Sequence, residues 1–145
     1  MSNLRKAFLN IKEVDIKKTL EQYFLSNLSY FEFNNEKSYQ IVFGTIIAFL
    51  FEDATISFEA NTGQGRSDIF IRTKKDNSLS IIIETKFLKG RRGRDRIDGS
   101  LEEGWNQINE MDYLEEANRI ESKNILAYSV VFNNKKVYVS GKRIK

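Results

Sequence analysis

Asp68, Glu84 and Lys86 are the residues whose types and spacing could do chemistry. Glu84 follows Asp68 by sixteen positions and belongs to the triplet Glu84-Thr85-Lys86. Both stand in apolar text: Asp68-Ile-Phe-Ile-Arg, a polar break from Lys74 to Ser78, then Leu-Ser-Ile-Ile-Ile-Glu84-Thr-Lys86. The pattern predicts two strands joined by a turn, with Asp76 and Asn77 supplying the turn chemistry. Side chains alternate along a strand, so Glu84 and Lys86 share one face while Ile83, Thr85 and Phe87 share the other. Paired as a simple hairpin, the strands bring Asp68 near Glu84. Carboxylates on an apolar hairpin cost several kcal/mol to desolvate unless something pairs with them, and a divalent cation is such a partner.

Composition narrows the chemistry. The 145 residues include no Cys and no His. That removes disulfides, thiolate and imidazole metal sites, histidine general bases, and Ser-His-Asp or Cys-His catalysis. Any metal must be a hard cation on oxygen ligands, and any base a carboxylate or a lysine. Asp68, Glu84 and the Thr85 carbonyl can supply oxygens to one or two Mg²⁺ (or Mn²⁺) ions, leaving positions for water and a phosphate oxygen. Lys86, with its proton affinity lowered by the cation, can orient and deprotonate a water for in-line attack on phosphorus.

Apolar residues make up 41% of the chain and aromatics 12%, as in a folded single domain. The net charge of +3 permits a polyanionic partner without demanding one. The apolar run Ile41 to Phe51 is too short for a bilayer span, and no signal-peptide pattern follows Met1. The expectation is a cytoplasmic protein with no membrane segment.

The elements that must position the triad follow in order. Residues 4 to 30 carry Ile16, Leu20 and Phe24 at helical spacing, which predicts a packing helix. Asn34 and Asn35 offer a cap for a second helix through Phe51, buried on most of its circumference. Glu36 in its first turn either complements the helix dipole or belongs to a site. Residues 55 to 60 read as a strand with Ile56 and Phe58 on one face and Glu59 on the other. Gly63 and Gly65 then allow a tight reversal ahead of Arg66 and Asp68.

After Lys86 come Lys89, Arg91, Arg92, Arg94 and Arg96, five cations within eight positions. They are either a solvated loop or a set of phosphate contacts beside the site. Ser100-Leu-Glu-Glu103 reads as a capping box for a helix running to about Ala117, with Leu101, Trp105, Ile108 and Met111 as its apolar stripe. Glu103 and Gln107 share a different face of it. Gln107 could bond a phosphate or a metal-bound water, or simply face solvent. Strands over Ile125 to Phe132 and Lys136 to Val139 close the chain around Asn133 and Asn134. The order predicts an α/β fold, a mixed sheet flanked by helices.

At Asp68 and Glu84-x-Lys86 the chain resembles the PD-(D/E)XK nuclease superfamily, with its restriction-endonuclease-like fold. More closely, it is similar to the nuclease-like C-terminal domain of bacterial AAA-ATPase-like proteins. The resemblance runs from Glu36 and Tyr39 through Glu59, Gly63-x-Gly65-Arg66-x-Asp68 and Glu84-x-Lys86 to Gln107 and Tyr113. Gln40 stands where a histidine would be expected in that family. The resemblance implies a single nuclease-like domain over 1–145, with an N-terminal helical segment at 1–33 and a nuclease core at 34–145. It implies that Glu36, Asp68, Glu84 and Lys86 form the metal site, supported by Gln107 and Tyr113. The activity so implied is Mg²⁺-dependent hydrolysis of phosphodiester bonds in DNA, with RNA second. Arg66 and the five cations from Lys89 to Arg96 are the expected nucleic-acid contacts. A homodimer would suit cleavage of both strands of a duplex. The alternative is a catalytically silent nucleic-acid-binding or regulatory module on the same fold.

Overall fold

The computed structural model describes residues 2–28, 35–61, 66–73, 79–110, 112–119 and 122–145. Its helices are α1 (Ser2–Leu9), α2 (Glu13–Asn27), α3 (Glu36–Leu50), α4 (Arg94–Glu110) and α5 (Asp112–Arg119). Its strands are β1 (Ala54–Asn61), β2 (Arg66–Thr73), β3 (Leu79–Leu88), β4 (Asn124–Asn133) and β5 (Lys136–Arg143). The strands form one sheet in the order β1-β2-β3-β4-β5. Neighbours run antiparallel except β3 and β4, which are parallel. A parallel pair needs a crossover, and α4 and α5 lie between β3 and β4 in the chain. The expected mixed α/β sheet flanked by helices is therefore present.

The two faces have different helical cover. Ile69, Ile71, Ile81, Ile83, Phe87, Tyr128, Val130 and Phe132 join one large core with residues of α1, α2 and α3. On the opposite face, Phe70, Ile82, Ile125 and Ala127 pack with Ile108 of α4 and Ala117 of α5. With both faces covered, β4 reads as a continuous buried run from Ile125 to Asn133. The larger core centres on an aromatic group. Tyr39 lies 4.9 to 5.2 Å, ring centre to ring centre, from Phe24, Phe87 and Phe132, each such pair contributing roughly 0.5–1.5 kcal/mol beyond burial. Tyr39 is thus a packing residue, and burial raises its phenol above the ordinary range.

Several elements depart from their sequence expectations. The single helix over 4–30 is two helices, because Ile11 takes a left-handed conformation with φ 54° and the Lys12 amide donates to the Ala7 carbonyl. Ile16, Leu20 and Phe24 are buried as their spacing predicts. Asn35 does cap α3, its side chain accepting from the Ser38 amide. However, α3 is not buried most of the way round: Ile41 is 58% exposed and Phe49 61%.

Ser100 is not a cap. The helix begins at Arg94, where the Ile97 amide reaches the Gly93 carbonyl, and Ile97 packs with Leu88 and Val131. Burial of Ile97 extends the helix past the local capping signal and leaves Ser100 buried inside it. The helix also ends earlier, at Glu110, with α5 following. At the closing turn Asn134 has φ 55°, which asparagine tolerates. Gly63, Gly65, Asn34, Met111 and the turn at 74–78 lie outside the described residues.

Helix α4 sits unusually close to the sheet at Gly104. A Cβ there would come within 2.1 Å of the Ser129 hydroxyl and 3.5 Å of Glu84 Cγ. The Ser129 hydroxyl donates to the Leu101 carbonyl at 2.8 Å, so it cannot turn away without losing that bond. Gly104→Ala should therefore destabilise the protein by about 1–3 kcal/mol, the usual cost of overpacking. Urea denaturation measures it, and adding Ser129→Gly should recover most of the loss.

Candidate active site

The antiparallel register of β2 and β3 sets Asp68 opposite Glu84 and Arg66 opposite Lys86. Directly opposed residues in such a pair share a face, so all four belong to the side that α4 covers. β1 extends the row, with Glu59 opposite Asp68, and β4 extends it the other way, with Ser129 opposite Glu84. Thr85 turns its side chain to the other face, where its hydroxyl bonds that of Ser67. Only its backbone carbonyl is thus a candidate oxygen ligand.

Glu84 is 2% exposed, under the close approach of α4. Its Oε1 accepts from Arg66 Nη1 at 3.1 Å. Its Oε2 is buried with no hydrogen-bond partner among the described residues. Burial pushes the Glu84 carboxyl up to about 9, Asp68 beside it adds to the rise, and Arg66 opposes it. Burial and the neighbouring Asp68 thus outweigh the arginine at Glu84.

Arg66 is 13% exposed and does not face outward as a free phosphate contact. Its second nitrogen, Nη2, reaches Glu103 Oε2 on α4 at 2.6 Å. Glu103 also pairs with Arg96 at 3.7 Å. Lys86 lies inside this group. Burial lowers its proton affinity first, then Arg66 and Arg96 lower it further, while Glu103 and Glu36 raise it. Glu36 thus acts on Lys86 from the start of α3, and Gln40 Nε2 donates to its Oε1 at 3.2 Å.

The predicted residues are therefore brought together unequally. Asp68, Glu84, Lys86 and Arg66 form the centre. Glu36 flanks it electrostatically, and among the described residues no three acidic side chains converge closely enough to cage a cation. Gln107, one turn beyond Glu103 on α4, is exposed. Tyr113 lies in α5, but its side chain is outside the described residues. Lys89, Arg91, Arg92, Arg94 and Arg96 are all exposed, running from the end of β3 into α4. Glu103 and Ser129 carry no role in the sequence reading. Spacing from Gln107 was the one available signal for Glu103, and none exists for Ser129.

A model of the PD-(D/E)XK nuclease superfamily matches residues 34–141. The chain belongs to that superfamily. Its five-stranded mixed sheet between helices is the restriction-endonuclease-like architecture of the PD-(D/E)XK enzymes, and membership indicates a nuclease-type function. Comparison with curated proteins and with solved structures gives no match. No helix among the described residues is long and apolar enough to cross a membrane.

The donor set fits a hard divalent cation. Glu84 Oε2 is a buried oxygen without a donor among the described residues, and Asp68 stands beside it. Arg66 meets only one oxygen of Glu84, so a second positive charge at the other oxygen and at Asp68 would be favoured. In the metal-free protein the raised Glu84 value carries a stability cost. The unfolded chain releases this proton near its ordinary value of 4.5, whereas the folded chain holds it to about 9. Folding stability from this group is thus full below about pH 4.5 and declines as pH rises towards 9. Glu84→Gln should stabilise the metal-free protein by up to about 5 kcal/mol at pH 8 and have little effect at pH 4. Thermal melts in EDTA at the two pH values provide the check.

Proposed function

We propose that this PD-(D/E)XK domain is a Mg²⁺-dependent phosphodiesterase that hydrolyses DNA, with RNA as the second substrate. The observation that carries this reading is the buried Glu84 facing Asp68 across two strands, with Lys86 on the same face. Asp68 and Glu84 would hold Mg²⁺ or Mn²⁺, and the Thr85 carbonyl would add an oxygen. When bound, the cation would supply Lewis-acid stabilisation of negative charge on a phosphate.

The remaining work belongs to the chain's own side chains. Lys86, its proton affinity lowered chiefly by burial, can take a proton at Nζ from the attacking water. Glu36 acts through Lys86, since its negative charge favours the protonated amine that this transfer produces. Arg66 and Arg96 place guanidinium groups beside Lys86, where the charge of a phosphodiester would fall. Gln107 on α4 and Tyr113 within α5 would support the metal site. The exposed cations Lys89, Arg91, Arg92 and Arg94 extend the positive surface for the nucleic-acid backbone. Helices α1 and α2 lie before the matched region and form the N-terminal helical segment of the same domain.

A silent nucleic-acid-binding module is the second reading. Its support is that Arg66 already occupies one oxygen of Glu84 and that no third acidic side chain joins the pair among the described residues.

Purified protein incubated with supercoiled plasmid, single-stranded DNA and RNA separates the two. Cleavage should require Mg²⁺ or Mn²⁺, vanish in EDTA, and fall at least a hundredfold in Asp68→Ala and Lys86→Ala, the scale of a lost general base. Retained cleavage in Asp68→Ala rejects the site; salt-sensitive binding without turnover in any metal supports the silent module. Neutralising Arg91, Arg92 and Arg94 together should weaken DNA binding on all sequences and lower its salt slope by about 3.

A further inference from the structure

Arg66 bonds the buried Glu84 carboxylate from the start of its own strand. It opens β2 opposite Lys86, and from there its guanidinium reaches diagonally to Glu84, the residue on the next same-face rung of β3. The same planar group also reaches α4, where Glu103 takes its other nitrogen at 2.6 Å. Arg66 therefore bridges sheet and helix, one nitrogen on a 2%-exposed carboxylate and the other on a half-exposed one. An arginine cannot lose its charge, so it supplies a permanent cation at Glu84 Oε1. It bonds only that oxygen, and Oε2 has no hydrogen-bond donor among the described residues.

We infer that Arg66 is an internal stand-in for the divalent cation, bound to Glu84 while the metal is absent, and that Glu103 is the positioning residue that receives it when the metal arrives. The inference rests on the metal-dependent reading proposed above. A divalent cation at Glu84 and a guanidinium bonded to the same carboxylate repel one another, so metal binding favours release of Nη1 from Oε1. Glu103 already holds Nη2, so release needs only a pivot about that contact and leaves the charge paired. The freed nitrogen would then sit beside the metal-binding carboxylates, available to a phosphate oxygen. Arg96 shares Glu103 but is paired, among the described contacts, with that residue and not with Glu84. It serves as the control for simple long-range repulsion.

Calorimetric titration of Mn²⁺ into substrate-free protein tests this. Arg66→Gln should bind Mn²⁺ about tenfold more tightly than the wild type, while Arg96→Gln should change affinity less than about twofold. Glu103→Gln should weaken binding several-fold, and that loss should shrink in the Arg66→Gln background. An Arg66→Gln affinity no tighter than that of Arg96→Gln overturns the inference. Should Arg66→Gln fail to fold, unchanged or tighter binding by Glu103→Gln overturns it equally. Wild-type binding that is lost in Asp68→Ala, with Arg66→Gln unaltered, rejects the stand-in role and keeps the metal site. Absence of Mn²⁺ binding in every variant, wild type included, rejects the metal-dependent reading as well.

Discussion

A carboxylate held between a sheet and a helix, with one oxygen bonded to arginine and the other to nothing described, is the constraint around which this fold is arranged. Burying a carboxylate that is satisfied on one oxygen only is costly, and a chain of this size has only a small net stability to offset it. The large core on the α1–α3 side, with its interlocked aromatic rings, is where compensating stability resides. The smaller core on the α4 side is divided into two parts, one around Ile82 and Ile108 and one around Leu88, Ile97 and Val131. The Glu84 and Ser129 row lies on that same face, where Gly104 brings α4 down onto it. Stability and chemistry are thus separated onto opposite faces of one sheet.

That separation follows from the topology. A parallel β3–β4 pair requires the chain to leave one end of the sheet and return at the other, and α4 begins that return. Because α4 starts directly after the strand that carries Glu84 and Lys86, its cations and Glu103 arrive beside the site. Hairpin pairing does the complementary work, since the β2–β3 register alone brings Asp68 and Glu84 together. Local pairing therefore builds the acids, and the crossover builds their electrostatic surroundings.

The parts legible in the sequence are those governed by period and register. Alternation in Asp68 to Arg72 and in Leu79 to Lys86 determines which side chains share a face, so the Asp68 and Glu84 pairing follows from counting. The Asn35 cap is legible because its mechanism is local. Ile11 shows the opposite case: a branched residue at positive φ carries no local signal, and only packing between α1 and α2 places the break there. Ser100 misleads for a related reason, since burial of Ile97 extends the helix through a sound capping pattern. Arg66 reads as one more surface cation because charge type says nothing about direction. Its inward course depends on Glu103, thirty-seven residues away, and on the height at which Gly104 sets α4.

The same geometry sets the electrostatics that the proposed base role of Lys86 would need. An exposed lysine stays protonated at neutral pH and makes a poor base. Here burial lowers its proton affinity, and two neighbouring guanidinium groups lower it further. Glu103 and Glu36 act against them, so the lysine is poised by opposing charges and not by burial alone. Arg66 is common to both halves of the site: it weakens Lys86's hold on its proton and opposes the rise at Glu84. Any movement of that one guanidinium must therefore change the electrostatics of the acid pair and of the lysine together.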